Sequence, residues 1–260
     1  MKLRLPKRYV RKVSRAITEF DMIEEGDNIL VGLSGGKDSS FLLYVLALIN
    51  RYASLDFRLA ALTVDLGFDG GKNYFDYLKN YCDRLGVKYY VLETEIASYI
   101  LSEKTEKPCA RCAHFRKGAI VDFMKENGFN KIAYGHHYDD AVETFLMSIL
   151  YAGQVKTFLP KTYLSRNEVY VIRPLVYLRE SEIIRARKYM DYNPPESPCP
   201  YDGQTTRDKV KKLLRELASD KQIFYNIAAA MREGSVIDLW PEKPPQEEII
   251  ERSKKLWTSN

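Results

Sequence analysis

Apolar residues recur along the chain at two different spacings, and the alternation between them outlines the fold. From Arg8 to Phe20 they stand at Val10, Val13, Ala16, Ile17 and Phe20, the period of a helix with one buried face. A turn at Glu25-Gly26-Asp27 leads into Asn28–Leu33, a short unbroken apolar run that predicts a buried strand. Residues 39–50 are apolar almost all round and of helical length, and 58–65 repeat the strand pattern. Tyr74, Tyr77, Tyr81 and Leu85 predict a helix over 73–85, followed by a strand over 87–92. A helix over 113–127, a strand over 131–134, a helix over 140–151 and a last strand over 169–173 complete the series. Beyond the break Pro194-Pro195-Glu196-Ser197-Pro198-Cys199-Pro200 come helices over 206–217 and 220–232, then a polar tail containing proline.

Strands alternating with helices predict an α/β fold, Rossmann-like, with a parallel sheet and helices on both faces. A basic N-terminal helix precedes it and C-terminal helices follow. Three segments result: an arm over 1–25, the α/β domain over 26–200, and a C-terminal segment over 201–260. In such sheets ligands sit beyond the carboxyl ends of the strands, which directs attention to the loops after 28–33 and 131–134.

With 45% hydrophobic and 29% charged residues, the composition excludes a disordered chain. The longest apolar run, Phe41–Ile49, is too short to span a bilayer, and no signal peptide is recognisable, so a cytoplasmic setting without membrane attachment is expected. The net charge of +5 is unevenly placed. Residues 1–18 hold Lys2, Arg4, Lys7, Arg8, Arg11, Lys12 and Arg15 with no acid; without those seven, 33 basic residues face 35 acidic ones. Such a stretch is either a solvated face or a contact to nucleic-acid phosphates.

Directly after the first strand stands Ser34-Gly35-Gly36-Lys37-Asp38-Ser39, opening a helix. Glycines allow a tight turn and close approach of an anion, and a helix start offers unpaired N–H groups. Ser34 and Ser39 add hydroxyls, and Lys37 a charge. A Walker loop is excluded, since Val31 and Asp38 occupy positions that need glycine and a hydroxyl residue. An acid inside a phosphate loop suggests magnesium shared with the nucleotide. The hexapeptide resembles the PP-loop of the ATP-pyrophosphatase superfamily, whose members cleave ATP to AMP and pyrophosphate while adenylating a substrate oxygen.

Of four cysteines, Cys82 lies in a helical pattern and reads as a buried structural thiol. Cys109-Ala-Arg-Cys112 reads as a C-x-x-C in a loop after Pro108, with Arg111, Arg116 and Lys117 making its surroundings electropositive. Cys199, between two prolines, is the natural third partner. Three thiolates suit zinc with His114 as fourth ligand, or three irons of a 4Fe–4S cluster, and spacing leaves both open. Gly135-His136-His137-Tyr138-Asp139-Asp140 follows the fourth strand. Gly135 permits close approach to a nucleotide, and one carboxylate, Asp140, suits magnesium or acid–base work; the alternative is a polar turn with Asp139 capping the next helix.

Together with Phe20–Asp27, Arg116-Lys117-Gly118, Ile172-Arg173-Pro174-Leu175 and Pro198-Cys199, these motifs occur in an order that closely resembles the TtcA/TtuA family of PP-loop tRNA thiolases over residues 8–232. The resemblance favours the thiocytidine-forming branch, because no paired zinc ribbons flank the chain; a position that is cysteine in that branch is here Asp202. It implies a tRNA sulfurtransferase that uses ATP and Mg2+ to adenylate the C2 oxygen of a pyrimidine, cytidine 32, and replaces it with sulfur delivered on a [4Fe–4S] cluster. It further implies that Cys109, Cys112 and Cys199 bind the cluster, Ser34 to Ser39 the phosphates, and that Gly135 lies against the nucleotide. Asp140, Lys37 and Arg116 would be catalytic, Arg116 meeting the phosphates. The partners implied are tRNA, a sulfur donor such as a cysteine desulfurase or sulfide carrier, and a second copy in a homodimer. The competing readings are a thiouridine-forming enzyme and a zinc-stabilised PP-loop ligase or tRNA-binding protein without a cluster.

Overall fold

The apolar run that follows Asp27 becomes the middle of a six-stranded sheet. The computed structural model describes residues 3–68, 72–102, 108–194, 206–217, 221–232 and 244–257. Its elements are α1 (Lys7–Glu19), β1 (Asn28–Gly32), α2 (Lys37–Tyr52), β2 (Arg58–Asp65), α3 (Lys72–Leu85), β3 (Lys88–Glu93), α4 (Ile96–Ser102), α5 (Pro108–Glu126), β4 (Lys131–Ala133) and α6 (Tyr138–Ala152). Then follow β5 (Lys161–Leu164), β6 (Val169–Ile172), α7 (Glu180–Ala186) with a 3-10 turn at Arg187–Tyr189, α8 (Thr206–Leu217), α9 (Lys221–Ala230) and α10 (Gln246–Trp257).

The strand order is β3-β2-β1-β4-β6-β5, parallel except for β5, which runs antiparallel to β6 at the edge. Leu30 pairs with Ala60 on one side and Ile132 on the other. Alternation along β1 then sorts the core into two layers. Ile29 and Val31 join α1, α2, α3 and α7 on one face, whereas Leu30 joins Ile120, Val121 and Met124 of α5 on the other. Helices on both faces follow from strands that are apolar on both sides. A third, smaller cluster joins Val142 of α6 to Val210 and Leu214 of α8 and Phe224 and Ala228 of α9. It fastens the C-terminal helices beside the carboxyl edge of the sheet. At the amino edge the buried Lys131 ammonium is paired with Asp27 at 2.7 Å.

The basic N-terminal segment is built into the main core. Leu3, Tyr9, Val13 and Ala16 are buried there, and the Tyr44 hydroxyl accepts from Arg4 N (3.0 Å) and donates to Arg4 O (2.9 Å). Part of its charge is already matched: Lys12 meets Glu182 at 2.6 Å and Arg15 meets Glu19 at 3.1 Å.

Several elements depart from the reading of the sequence. The strand β5 has one exposed and three half-buried positions, so no apolar run announces it. α4 and α7 are seven residues each, too short for helical periodicity to register. The polar tail contains α10, whose Ile249 and Ile250 are largely exposed. The C-x-x-C, expected in a loop, occupies the second and fifth positions of α5, with Pro108 as the first helical residue. Proline is favoured at that position because its missing N–H is one that no helix uses.

Candidate active site

From β1 the chain proceeds outward to β2 and β3, and from β4 it proceeds outward the other way to β6. The carboxyl ends of β1 and β4 therefore flank the point where the winding reverses, the place at which open α/β sheets bind ligands. The loop Leu33–Gly36 leaves one strand there, and the loop Tyr134–His137 leaves the other.

Contact between the two loops is direct. A Cβ on Gly135 would stand 2.8 Å from the carbonyl carbon of Asp38 and 2.9 Å from Ser39 N. The close approach that Gly135 permits in this structure is to the first turn of α2. Gly35 has φ +75°, and a Cβ there would fall 1.9 Å from the Tyr74 hydroxyl. Tyr74 donates to Ser34 O at 2.5 Å and Tyr192 to Gly35 O at 2.7 Å, so two tyrosines fix the loop from below. The Ser39 hydroxyl accepts from Ser34 N at 3.2 Å and donates to Gly36 O at 3.1 Å, closing the turn internally. Among the described residues no side chain caps the start of α2 at Gly36, which leaves its N–H groups and the positive end of a 16-residue helix facing the crevice.

Lys37 reaches Asp38 at 2.9 Å and Glu180 of α7 at 3.0 Å. Burial opposes its charge, but the two carboxylates outweigh burial and raise its pKa. The second oxygen of Asp38, Oδ1, is buried and has no hydrogen-bond partner among the described residues, with His137 Nε2 standing off at 3.8 Å. His137, not Asp139, caps α6: its Nδ1 accepts from Asp140 N at 3.4 Å, while Asp140 Oδ2 accepts from His137 N at 2.9 Å. Asp139 instead binds Arg179 at 2.9 and 3.0 Å and accepts from Glu180 N at 2.7 Å. His136 is half-buried against Tyr134 and Phe158, and desolvation lowers its pKa to about 4, so it is a neutral wall residue.

The C-terminal helices supply residues that reading the sequence missed. Arg207 of α8 meets Asp140 at 2.8 Å and donates to the Thr144 hydroxyl at 3.2 Å. Lys211, one turn further on, binds Glu180 at 2.7 Å. Glu143, one turn below Asp140, is buried, and burial followed by the Asp140 charge pushes its carboxyl up to about 7. The signal available in the sequence was the spacing of Arg207, Lys211 and Arg215 on one face of an amphipathic helix.

α5 runs back along the sheet into β4, so its N-terminal end, with Cys109 and Cys112, lies at the same carboxyl edge. Cys112 is half-buried; Arg116, one turn on, is exposed and acts electrostatically on the Tyr134 phenol at the end of β4. Cys112 and Arg116, four residues apart, share one helix face. His114 is two residues past Cys112, roughly 200° round the helix, and exposed, which removes it as a fourth ligand beside Cys112. Cys199 and Asp202 lie outside the described residues. Cys82 is fully buried in the core and its thiol is pushed up to about 12 by burial, as a structural role requires.

The fold and the loop at its switch point define a PP-loop ATP-binding protein, and residues 7–217 match the PP-loop domain family. The chain is 40% identical over 219 residues to the tRNA-cytidine(32) 2-sulfurtransferase of Ralstonia pickettii, covering 82% of this chain and 68% of that one. It is 37% identical over 225 residues to the enzyme of the same name from Alcanivorax borkumensis, covering 84% and 77%. The U34-tRNA thiolase NcsA from Methanococcus maripaludis, solved with its [4Fe-4S] cluster, superposes with a TM-score of 0.70 over 86% of this chain and 76% of that one, and at 23% identity shows a shared fold. The chain belongs to the tRNA-cytidine(32) 2-sulfurtransferase family. Among the described residues no helix is long and apolar enough to cross a membrane.

Proposed function

We propose that this chain is an ATP-dependent tRNA thiolase that replaces the C2 oxygen of cytidine 32 with sulfur. The observation that carries this reading is the meeting of the Ser34–Ser39 loop with the Gly135–Asp140 segment at the switch point, in a chain 40% identical to a tRNA-cytidine(32) 2-sulfurtransferase. A pyrimidine C2 carbonyl is a poor electrophile with a poor leaving group. Attack of its oxygen on the α-phosphorus of ATP breaks the bond to the β-phosphate and releases pyrophosphate. Sulfide then adds at C2, and AMP departs with the oxygen.

This chain's residues act on the charges those steps create. The uncapped start of α2, Lys37 and the Ser34 and Ser39 hydroxyls hold the phosphates and stabilise the departing pyrophosphate. Asp38, with its unpartnered buried oxygen, fits a magnesium ion, and Asp140 is the second carboxylate at hand. Magnesium there would neutralise the polyphosphate. Arg116 and the N-terminal turn of α5 face the same edge and favour thiolates at Cys109 and Cys112. These two, with Cys199, form a donor set suited to a [4Fe–4S] cluster, which when bound supplies an iron open to sulfide. A cysteine desulfurase or sulfide carrier is the source of that sulfur.

Mass spectrometry of tRNA nucleosides from a strain lacking this gene tests the reading. Loss of 2-thiocytidine, restored by the wild-type gene and not by a Cys112→Ala copy, is expected. Loss of a 2-thiouridine derivative instead would assign the other base, and an unchanged nucleoside profile would end the proposal.

A further inference from the structure

Two lysines from distant parts of the chain converge on a single carboxylate beside the phosphate loop. Lys37 of α2 reaches Glu180 Oε1 at 3.0 Å, and Lys211 of α8 reaches Oε1 at 2.8 Å and Oε2 at 2.7 Å. We propose that Lys211 is, with Lys37, a ligand of the β- and γ-phosphates, and that Glu180 holds their place until the nucleotide arrives. The inference rests on the reading of the site as an ATP site.

The surroundings of this triad argue for exchange. Lys211 has no other partner among the described residues, although its helix is anchored by Val210 and Leu214 in the cluster with Val142 and Phe224. The helix therefore carries Lys211 to the edge of the phosphate loop whether or not Glu180 is present. The backbone of Glu180 is equally fixed, since its N–H donates to Asp139 at 2.7 Å and its neighbour Arg179 grips the same carboxylate. The Glu180 side chain can swing while its backbone stays in place. All three groups remain partly open to solvent, with side-chain exposures of 30%, 28% and 19% for Lys37, Lys211 and Glu180.

Charge settles the direction. Lys37, Arg179, Arg207 and Lys211 are matched one for one by Asp38, Asp139, Asp140 and Glu180. An incoming polyphosphate adds negative charge to a balanced site, and its oxygens meet both lysines only by taking the place of the Glu180 carboxylate. A diphosphate presents adjacent oxygens as a carboxylate does, so the two ammonium groups that now share Glu180 can share it instead.

The test is calorimetric titration of wild type, Lys211→Met and Glu180→Gln with Mg–ATP, Mg–pyrophosphate and AMP at fixed ionic strength. Lys211→Met is expected to weaken ATP and pyrophosphate by about tenfold, the scale of one charge-assisted hydrogen bond, with AMP within about twofold of wild type. Glu180→Gln is expected to tighten pyrophosphate several-fold, and this arm stands alone if Lys211→Met is poorly folded. Equal ATP affinity in Lys211→Met, an equal loss for AMP, or weaker pyrophosphate binding in Glu180→Gln would overturn the proposal. Wild-type protein that binds no ATP would refute the ATP site itself, an outcome distinct from variants that merely match wild type.

Discussion

Replacing Gly135 with alanine inserts one methyl group where the two site loops touch. The new Cβ would lie 2.8 Å from Asp38 C, 2.9 Å from Ser39 N and 3.0 Å from Asp38 O, where ordinary contact begins at 3.4 Å. Relief requires a shift of about 0.6 Å, the difference between 2.8 and 3.4 Å, and all three neighbours are backbone atoms that no rotamer change removes. Overpacking of this kind costs about 1–3 kcal/mol. The shift falls on the first turn of α2, where Ser39 closes the loop onto Ser34 and Gly36. Gly135→Ala should therefore lose stability in urea denaturation and also lose about tenfold or more in ATP affinity by calorimetry. Gly118 gives the contrast: it lies in α5 with nothing within 4 Å of its Cβ position, so Gly118→Ala should be neutral or stabilising by up to about 1 kcal/mol. A Gly135→Ala protein with wild-type stability and ATP affinity would refute the argument that these loops are packed to contact.

Three further outcomes follow from the same geometry. Glu143, raised to about 7 chiefly by burial, binds a proton in the native state that the unfolded chain has released above about 4.5, so stability should fall as pH rises from about 4.5 to about 7, by at most about 3 kcal/mol. Glu143→Gln should flatten that slope in denaturant melts and be more stable than wild type at pH 8; a less stable variant would contradict the assignment. Among the described residues Arg11 has no carboxylate partner and Arg8 contacts Tyr9 alone, through the hydroxyl and the ring face, whereas Lys12 is committed to Glu182, so Arg8→Ala with Arg11→Ala should lower the salt slope of tRNA binding by about 1.4–1.8 and leave ATP affinity unchanged. An unchanged slope would make that face of α1 a solvated surface. Cys112→Ala, reconstituted anaerobically with iron and sulfide, should lose the visible iron–sulfur absorbance while still binding ATP; retention of the full absorbance would remove Cys112 from the cluster.

The sheet was legible because its central strands are apolar on both faces, so Asn28–Leu33, 58–65 and 131–134 stand out as unbroken runs. The phosphate loop was legible because its glycines and hydroxyls are contiguous. What escaped was short or non-local. β5 has only half-buried and exposed positions, and α7 buries only Ile183 and Ala186. Arg207 meets Asp140 across 67 residues of sequence, and nothing in either local pattern announces the other. The cap of α6 was misplaced by two residues, since adjacent aspartates look like caps whereas a histidine does the capping. The basic run at the N-terminus was visible as charge, but Glu182, the partner of Lys12, meets it only when α1 is packed against the core.

On the proposed function, the loop at the switch point serves sulfur insertion at C2 of a tRNA cytidine. The direct measurement is nucleoside mass spectrometry of unmodified tRNA after anaerobic incubation with the reconstituted protein, Mg–ATP and sulfide. 2-Thiocytidine at position 32, formed with one AMP and one pyrophosphate for each sulfur inserted and absent without ATP, is the predicted result. ATP cleavage with no sulfur in the tRNA, or sulfur found on a uridine, would contradict it.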